Sequence, residues 1–282
     1  MSEAFAYPPE EHVLRDLRIE VERRLDPSTA SAWMTAPPLA AGSSATPALG
    51  AVAVLVDVLG GGMAARAAAP DWIATADLTL HRLPPGGGEA TGRVEVIEAR
   101  GRVVRAGRTT VVLGVETLDD DRVSGTATLT FAVLPRRAEN LVIDDILDAG
   151  RMSFAVPSSG FDVPFHDALG LAILDPSAGA VSMPVSPYLV NSFGGVQGGI
   201  VAAVAEAAGS AAASASLGAP AVAVDLQLTY LELGKVGPVT TRTTVIGTGD
   251  RHATVRVEIV DSGADDRTMA SATLVCVVET GT

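Results

Sequence analysis

The segment Asn191-Ser192-Phe193-Gly194-Gly195-Val196-Gln197-Gly198-Gly199-Ile200 runs into an Ala- and Val-rich stretch that carries one acid, Glu206. Paired glycines at the start of an apolar helix let a ligand meet bare backbone. The first N–H groups of a helix lack intrahelical acceptors. With the positive end of the helix dipole they stabilise negative charge forming on a carbonyl oxygen. Glycine lets that carbonyl come close. A carboxylate supplies the attack, as general base on water or as nucleophile. Gly198 is the donor, and Glu206 lies eight residues on, about 12 Å along a helix at 1.5 Å per residue. One helix therefore does not readily hold both groups at one carbonyl, which turns attention to any second acid in a similar stretch. The chain has one: Asp57, in the Ala-rich stretch Ala48–Ala69.

That second stretch belongs to a duplication. Leu25-Asp26-Pro27-Ser28 recurs as Leu174-Asp175-Pro176-Ser177 at an offset of 149 residues, Asp77-Leu78-Thr79-Leu80 as Asp225-Leu226-Gln227-Leu228 at 148, and Asp120-Asp121-Arg122 as Asp265-Asp266-Arg267 at 145. The order is kept and the offset drifts slightly, as a duplicated domain with loop deletions would show. Each half opens on a strand pair, Leu17–Leu25 with Ala30–Pro37 and Leu169–Asp175 with Ala180–Val185, where Asp-Pro-Ser supplies the turn. A Gly-punctuated loop leads to a helix of about five turns, apolar on nearly every side, which must be wrapped. Period-two strands follow: Ile73–Leu83, Gly92–Arg100, Arg102–Thr117 and Val123–Leu134, then Ala221–Leu233, Val239–Thr248, His252–Asp261 and Thr268–Val278. The expected organisation is an N-terminal unit over 1–140, a linker over 141–164 and a C-terminal unit over 165–282.

At 282 residues the chain suits two such units, each able to bury a core. A net charge of −13 argues against sequence-independent nucleic-acid binding, and an anionic ligand would need a local basic patch. Arg100 and Arg102, with Arg105 and Arg108, form the densest cationic run, read either as a solvated hairpin or as such a patch. The single cysteine, Cys276, excludes an intrachain disulfide and sits in an apolar strand. Met1–Glu10 has neither the basic nor the apolar region of a signal peptide, so a cytoplasmic location is expected. The two Ala-rich stretches each contain an acid and read as buried helices rather than membrane spans. The four histidines do not cluster, and no metal or other cofactor is expected.

Residues 191–206 resemble the hotdog-fold acyl-CoA thioesterases, most closely the phenylacetate-pathway and 4-hydroxybenzoyl-CoA type. Their signature is an Asn or Gln, then His-Gly-Gly opening the long helix, then an acid nine residues after the His. Gln197 stands where His is usual, and Glu206 where Asp is commoner. The resemblance extends over roughly 15–135 and 165–279. It implies an α+β double hotdog: two antiparallel sheets, each wrapped around a long central helix, and hydrolysis of an acyl-CoA thioester between the halves. It also implies a homo-oligomer, a dimer or trimer of such chains, with no nucleic-acid or membrane partner.

The resemblance assigns roles residue by residue. Gly198 N–H is the oxyanion donor, Asn191 and Gln197 are candidate polar contacts, and Gly199 admits the substrate. Asp57 or Glu206 is the carboxylate. A Ser or Thr two residues before the strand Asp helps hold water; that is Thr75 in the first half, but Ala223 in the second. Aligning Asp57 with Glu206 sets Ala48 against Gln197, Leu49 against Gly198 and Gly42 against Asn191. The losses are complementary: Asn191, Gln197 and Gly198 join Asp57 and Thr75 in one complete site, while Gly42, Leu49, Glu206 and Ala223 make an incomplete one. Blander readings stand beside these: Asn191 as a turn residue, Thr75 as a β-former, the glycines as packing. Gln197 in place of His also leaves open a non-catalytic acyl-CoA-binding or scaffold protein. An enoyl-CoA hydratase or dehydratase would need an Asp-x-x-x-x-His pair, which the chain lacks.

Overall fold

The computed structural model describes residues 7–37, 47–83, 94–136 and 148–279. In chain order the elements are α1 (Val13–Asp16), β1 (Glu20–Arg23), β2 (Thr29–Thr35), α2 (Leu49–Ala68), β3 (Trp72–Arg82), β4 (Val96–Ala106), β5 (Thr110–Asp119), β6 (Arg122–Leu134) and β7 (Gly150–Ser153). They continue with α3 (Phe165–Ala168), β8 (Ala172–Asp175), β9 (Ala180–Met183), α4 (Gly198–Leu217), β10 (Ala221–Tyr230), β11 (Val239–Thr248), β12 (His252–Asp261) and β13 (Arg267–Val278).

The duplication is visible in local chemistry. Asp26 Oδ1 accepts from Ser28 N–H at 2.9 Å, and Asp175 Oδ1 accepts from Ser177 N–H at 2.9 Å, the same Asx turn built twice. The register of β3 against β6 slips between Thr75 and Asp77, and that of β10 against β13 slips between Ala223 and Asp225. Each is a bulge at the same repeat position, and a bulge re-aims the side chain beside it.

The expectation of two sheets is corrected by the strand order. One antiparallel sheet of 13 strands runs β7-β1-β2-β4-β5-β6-β3-β10-β13-β12-β11-β9-β8. Apart from β7 the order is palindromic in repeat terms. The halves join where β3 pairs with β10, with Thr79 opposite Gln227 at the centre and Asp77 opposite Thr229 and His81 opposite Asp225 on either side. Alternation tells which face of a strand is buried, but not which edge finds a partner. The segment read as linker contributes β7, an edge strand paired with β1. The stretch read as one strand over Arg102–Thr117 breaks where Gly107 N–H donates to Thr110 C=O at 2.8 Å.

Inside the curl of the sheet lie the two 20-residue helices. Both are long and apolar enough to cross a membrane, but the sheet and the partner helix cover most of each. Their inward sides pack on Leu78, Leu80, Leu113, Leu129 and Phe131 from the first half and on Leu226, Leu228, Val255, Val257 and Leu274 from the second. Cys276 is buried, and burial pushes its thiol up to about 12.

Candidate active site at the crossing of two helices

Two glycines set the geometry. A Cβ on Gly199 would lie 2.3 Å from Val54 Cα, and one on Gly50 would lie 2.4 Å from Ala203 Cα. At the repeat offset of 149 these are one contact made twice. Early α4 thus touches mid α2, and early α2 touches mid α4, so the helices run antiparallel with backbones nearly in contact. Each helix's acid is delivered to the other's first turn, which removes the obstacle of eight intervening residues.

At the first crossing Asp57 meets the tip of α4. Its Oδ2 accepts from Gly199 N–H at 3.2 Å, and its Oδ1 accepts from the Thr75 hydroxyl at 3.1 Å. The bulge after Thr75 turns that hydroxyl inward. A Cβ on Gly198 would lie 2.8 Å from Asp57 Oδ2, so only glycine leaves room there. Gly198 N–H has no acceptor among the described residues. Tyr230 donates its hydroxyl to Gly198 C=O at 2.9 Å. Asp57 is 8% exposed. Burial pushes its carboxyl up to about 6, against the hydrogen bonds from Thr75 and Gly199, which favour the charged form. Burial and the nearby Asp57 charge push the phenols of Tyr7 and Tyr230 up, so both stay protonated.

At the second crossing Glu206 meets the tip of α2 with different chemistry. Oε1 accepts from Leu49 N–H at 2.6 Å and Oε2 from Gly50 N–H at 2.8 Å. Ala48 offers no capping side chain, so Glu206 caps α2 from the neighbouring helix. The methylene that distinguishes Glu from Asp supplies the reach. His166 Nε2 lies 3.3 Å from Oε2. Burial lowers the His166 pKa, but the Glu206 carboxylate outweighs it and the net shift is upward. The donors an oxyanion would need at this tip are already occupied. Gly42, the counterpart of Asn191, lies outside the described residues.

The remaining sequence candidates divide. Gln197 is the residue before α4, and its buried Oε1 has no hydrogen-bond partner among the described residues. The Asn191 side chain builds the loop: its Oδ1 accepts from Phe193 N–H at 2.9 Å and Gly195 N–H at 3.3 Å. The loop presents Phe193 edge-on to Trp72 of the other half, with ring centroids 4.6 Å apart. Gly199 serves both the helix contact and the hydrogen bond to Asp57. Arg100 and Arg102 are not brought to either crossing. Gly101 between them faces Met63 of α2, so by alternation both arginines point to the outer face, where Arg100 pairs with Glu98 at 2.8 Å. Among the described residues no group of three or more His, Cys, Asp and Glu is placed to hold a metal.

Tyr230, Tyr7 and His166 were missed in the sequence. For Tyr230 a signal existed. At the offset of 148 it aligns with Arg82, a charged residue on the inward face of a strand, which marks the position as unusual in both halves.

Part of the sequence and the fold as a whole have counterparts among known proteins. Residues 193–266 match the thioesterase superfamily. The thioesterase match takes in Gln197, Gly198, Gly199, Glu206 and Tyr230, while Asp57 and Thr75 lie in the half outside it. Solved structures that share the fold over nearly the whole chain include the tesB protein of Mycobacterium avium subspecies paratuberculosis (TM-score 0.57, 12% identity, 92% of this chain and 96% of that one). Another is an acyl-ACP thioesterase from Bacteroides thetaiotaomicron (0.54, 10%, 88% and 98%). A third is a hot dog fold protein of unknown function from Alicyclobacillus acidocaldarius (0.53, 13%, 96% and 99%). At these identities the likeness is one of fold. No curated protein matches the sequence.

Proposed function

We propose that the protein is a double hotdog that hydrolyses an acyl-CoA thioester to a carboxylic acid and free CoA, at one site per chain formed where the tip of α4 meets Asp57. The observation that carries this reading is the inequality of the two crossings. Asp57 sits at a helix tip whose leading N–H has no acceptor among the described residues, whereas Glu206 occupies both leading N–H groups of the tip it meets. In the proposed reaction the thioester carbonyl oxygen takes the Gly198 N–H. Water held between Asp57 and the carbonyl carbon gives its proton to the carboxylate as it attacks. The tetrahedral oxyanion collapses, the C–S bond breaks, and the proton passes from Asp57 to the departing thiolate. Desolvation makes Asp57 a stronger base than an ordinary carboxylate. The Thr75 hydroxyl keeps Oδ1 in place and has a lone pair left for the water.

The test is thiol release from a panel of acyl-CoA substrates. Asp57→Asn is expected to abolish turnover, while Glu206→Gln, which keeps one acceptor for the α2 amides, retains most of it. The reverse ranking would move the chemistry to the other crossing. Binding without turnover by the natural protein would identify an acyl-CoA-binding protein instead.

A further inference from the structure

We infer that Tyr230 is a positioning residue that tethers the α4 tip by its carbonyl and so keeps the Gly198 N–H free for the substrate. The inference rests on the hydrolase reading above and adds a residue to it.

The tip of α4 lacks local means of holding its shape. Gly198 is the first helical residue and has the widest conformational freedom of any residue type, while Gln197 before it makes no side-chain cap. Two side chains from outside the helix reach this peptide: Asp57, accepting from its N–H at Gly199 at 3.2 Å, and the Tyr230 hydroxyl, donating to its Gly198 C=O at 2.9 Å from the last residue of β10. The other crossing shows the alternative. At the matching repeat position stands Arg82, which turns its Nη2 to Asp119 and leaves Nε and Nη1 without hydrogen-bond partners among the described residues. The α2 tip is then held by Glu206 through its N–H groups. Glu206 grips both leading N–H groups of the α2 tip, whereas at the α4 tip Asp57 takes only the second N–H, that of Gly199, and Tyr230 grips the Gly198 C=O. A tether on the N–H side uses up the donors that oxyanion binding needs. A tether on the C=O side fixes the same atoms and leaves the donor available. The Tyr230 ring is half-buried while its hydroxyl lies inside, so one variant can remove the tether and leave the wall intact.

Tyr230→Phe is that variant. Steady-state thiol release would be measured over pH for natural protein and variant, beside thermal melting and amide hydrogen exchange of the first turn of α4. The expected result is a fall in kcat of about tenfold, the worth of one ordering hydrogen bond, with KM within about twofold. The acid limb and the melting temperature should stay close to those of the natural protein, and exchange should quicken at Gly198 and Gly199 but not at Leu49 and Gly50. If the Phe variant does not fold, Tyr230→Gln, which keeps a donor, takes its place and should retain more activity than Tyr230→Leu. An unchanged kcat, or a loss that follows melting temperature or KM alone, overturns the tether. If the natural protein releases thiol from no acyl-CoA, the hydrolase reading fails instead, and the exchange measurement still tests the tether by itself.

Discussion

Asp57 and Glu206 occupy the same place in two copies of one helix and differ by a methylene and by what they touch. The free energies run in opposite directions. Glu206 stabilises the fold by capping α2, whereas Asp57 is destabilised in its charged form by burial. Because its folded pKa of about 6 exceeds the ordinary 3.8, the native state binds this proton more tightly than the unfolded chain. Its contribution to stability is therefore greatest below pH 3.8 and is lost as pH rises through 6. The loss is at most on the order of 3 kcal/mol at 1.36 kcal/mol per pH unit. Asp57→Asn should melt at least as high as the natural protein at pH 7.5, with a smaller advantage at pH 4.5; scanning calorimetry at the two pH values reads this directly. If Asp57 is the base, as proposed, activity has the opposite sign, rising with pH through about 6 to a plateau as it ionises, which a kcat/KM profile checks. Asp57 was legible in the sequence because an acid in the middle of an otherwise apolar stretch demands a reason. Tyr230 was not, since an aromatic residue ending a strand is ordinary and its partner is a backbone atom far away in the chain.

At the scale of elements, the geometry of the proposed site depends on how closely α2 and α4 approach. Gly199→Ala would put a methyl group 2.3 Å from Val54 Cα, and Gly50→Ala one 2.4 Å from Ala203 Cα. Backbone on both sides cannot move aside cheaply. Each substitution is expected to cost about 3 kcal/mol, read as a shift in the urea midpoint. Gly61→Ala and Gly62→Ala, which meet nothing within 4 Å, should be neutral or slightly stabilising through helix propensity. The helix ends were readable from the glycines and the sudden all-round apolarity. The break after Ala106 was not, because Arg102–Thr117 keeps a plausible strand composition through the turn at Gly107. The short helices α1 and α3 escaped notice because four residues show no period.

The molecule as a whole is held together across its middle by the β3–β10 pairing and by the crossing of the helices. Further links tie the first half's α1 to the loop before α4: Val13 N–H donates to Tyr188 C=O at 3.1 Å, and Tyr188 OH to Asp16 Oδ2 at 2.8 Å. The two repeats should therefore unfold together. A single calorimetric transition with equal calorimetric and van't Hoff enthalpies is expected, and two resolved transitions would show independent units. The duplication itself was plain in the sequence, as was the inward face of each strand, while the helix-to-helix loan of acids was implied by the family resemblance. The continuous sheet was not, because edge pairing between repeats leaves no mark on alternation.

The palindromic architecture also gives the molecule an internal control. Both crossings share backbone path, glycine contact and bulge, yet one tip is capped by its acid and the other is left uncapped at its leading amide. Equivalent isotope labels at Leu49 and Gly198 would report, in a single sample, what the scaffold does to a leading helix amide that is capped and to one that is not. A ligand that perturbs one label and spares its twin would locate its landing point without any second protein for comparison.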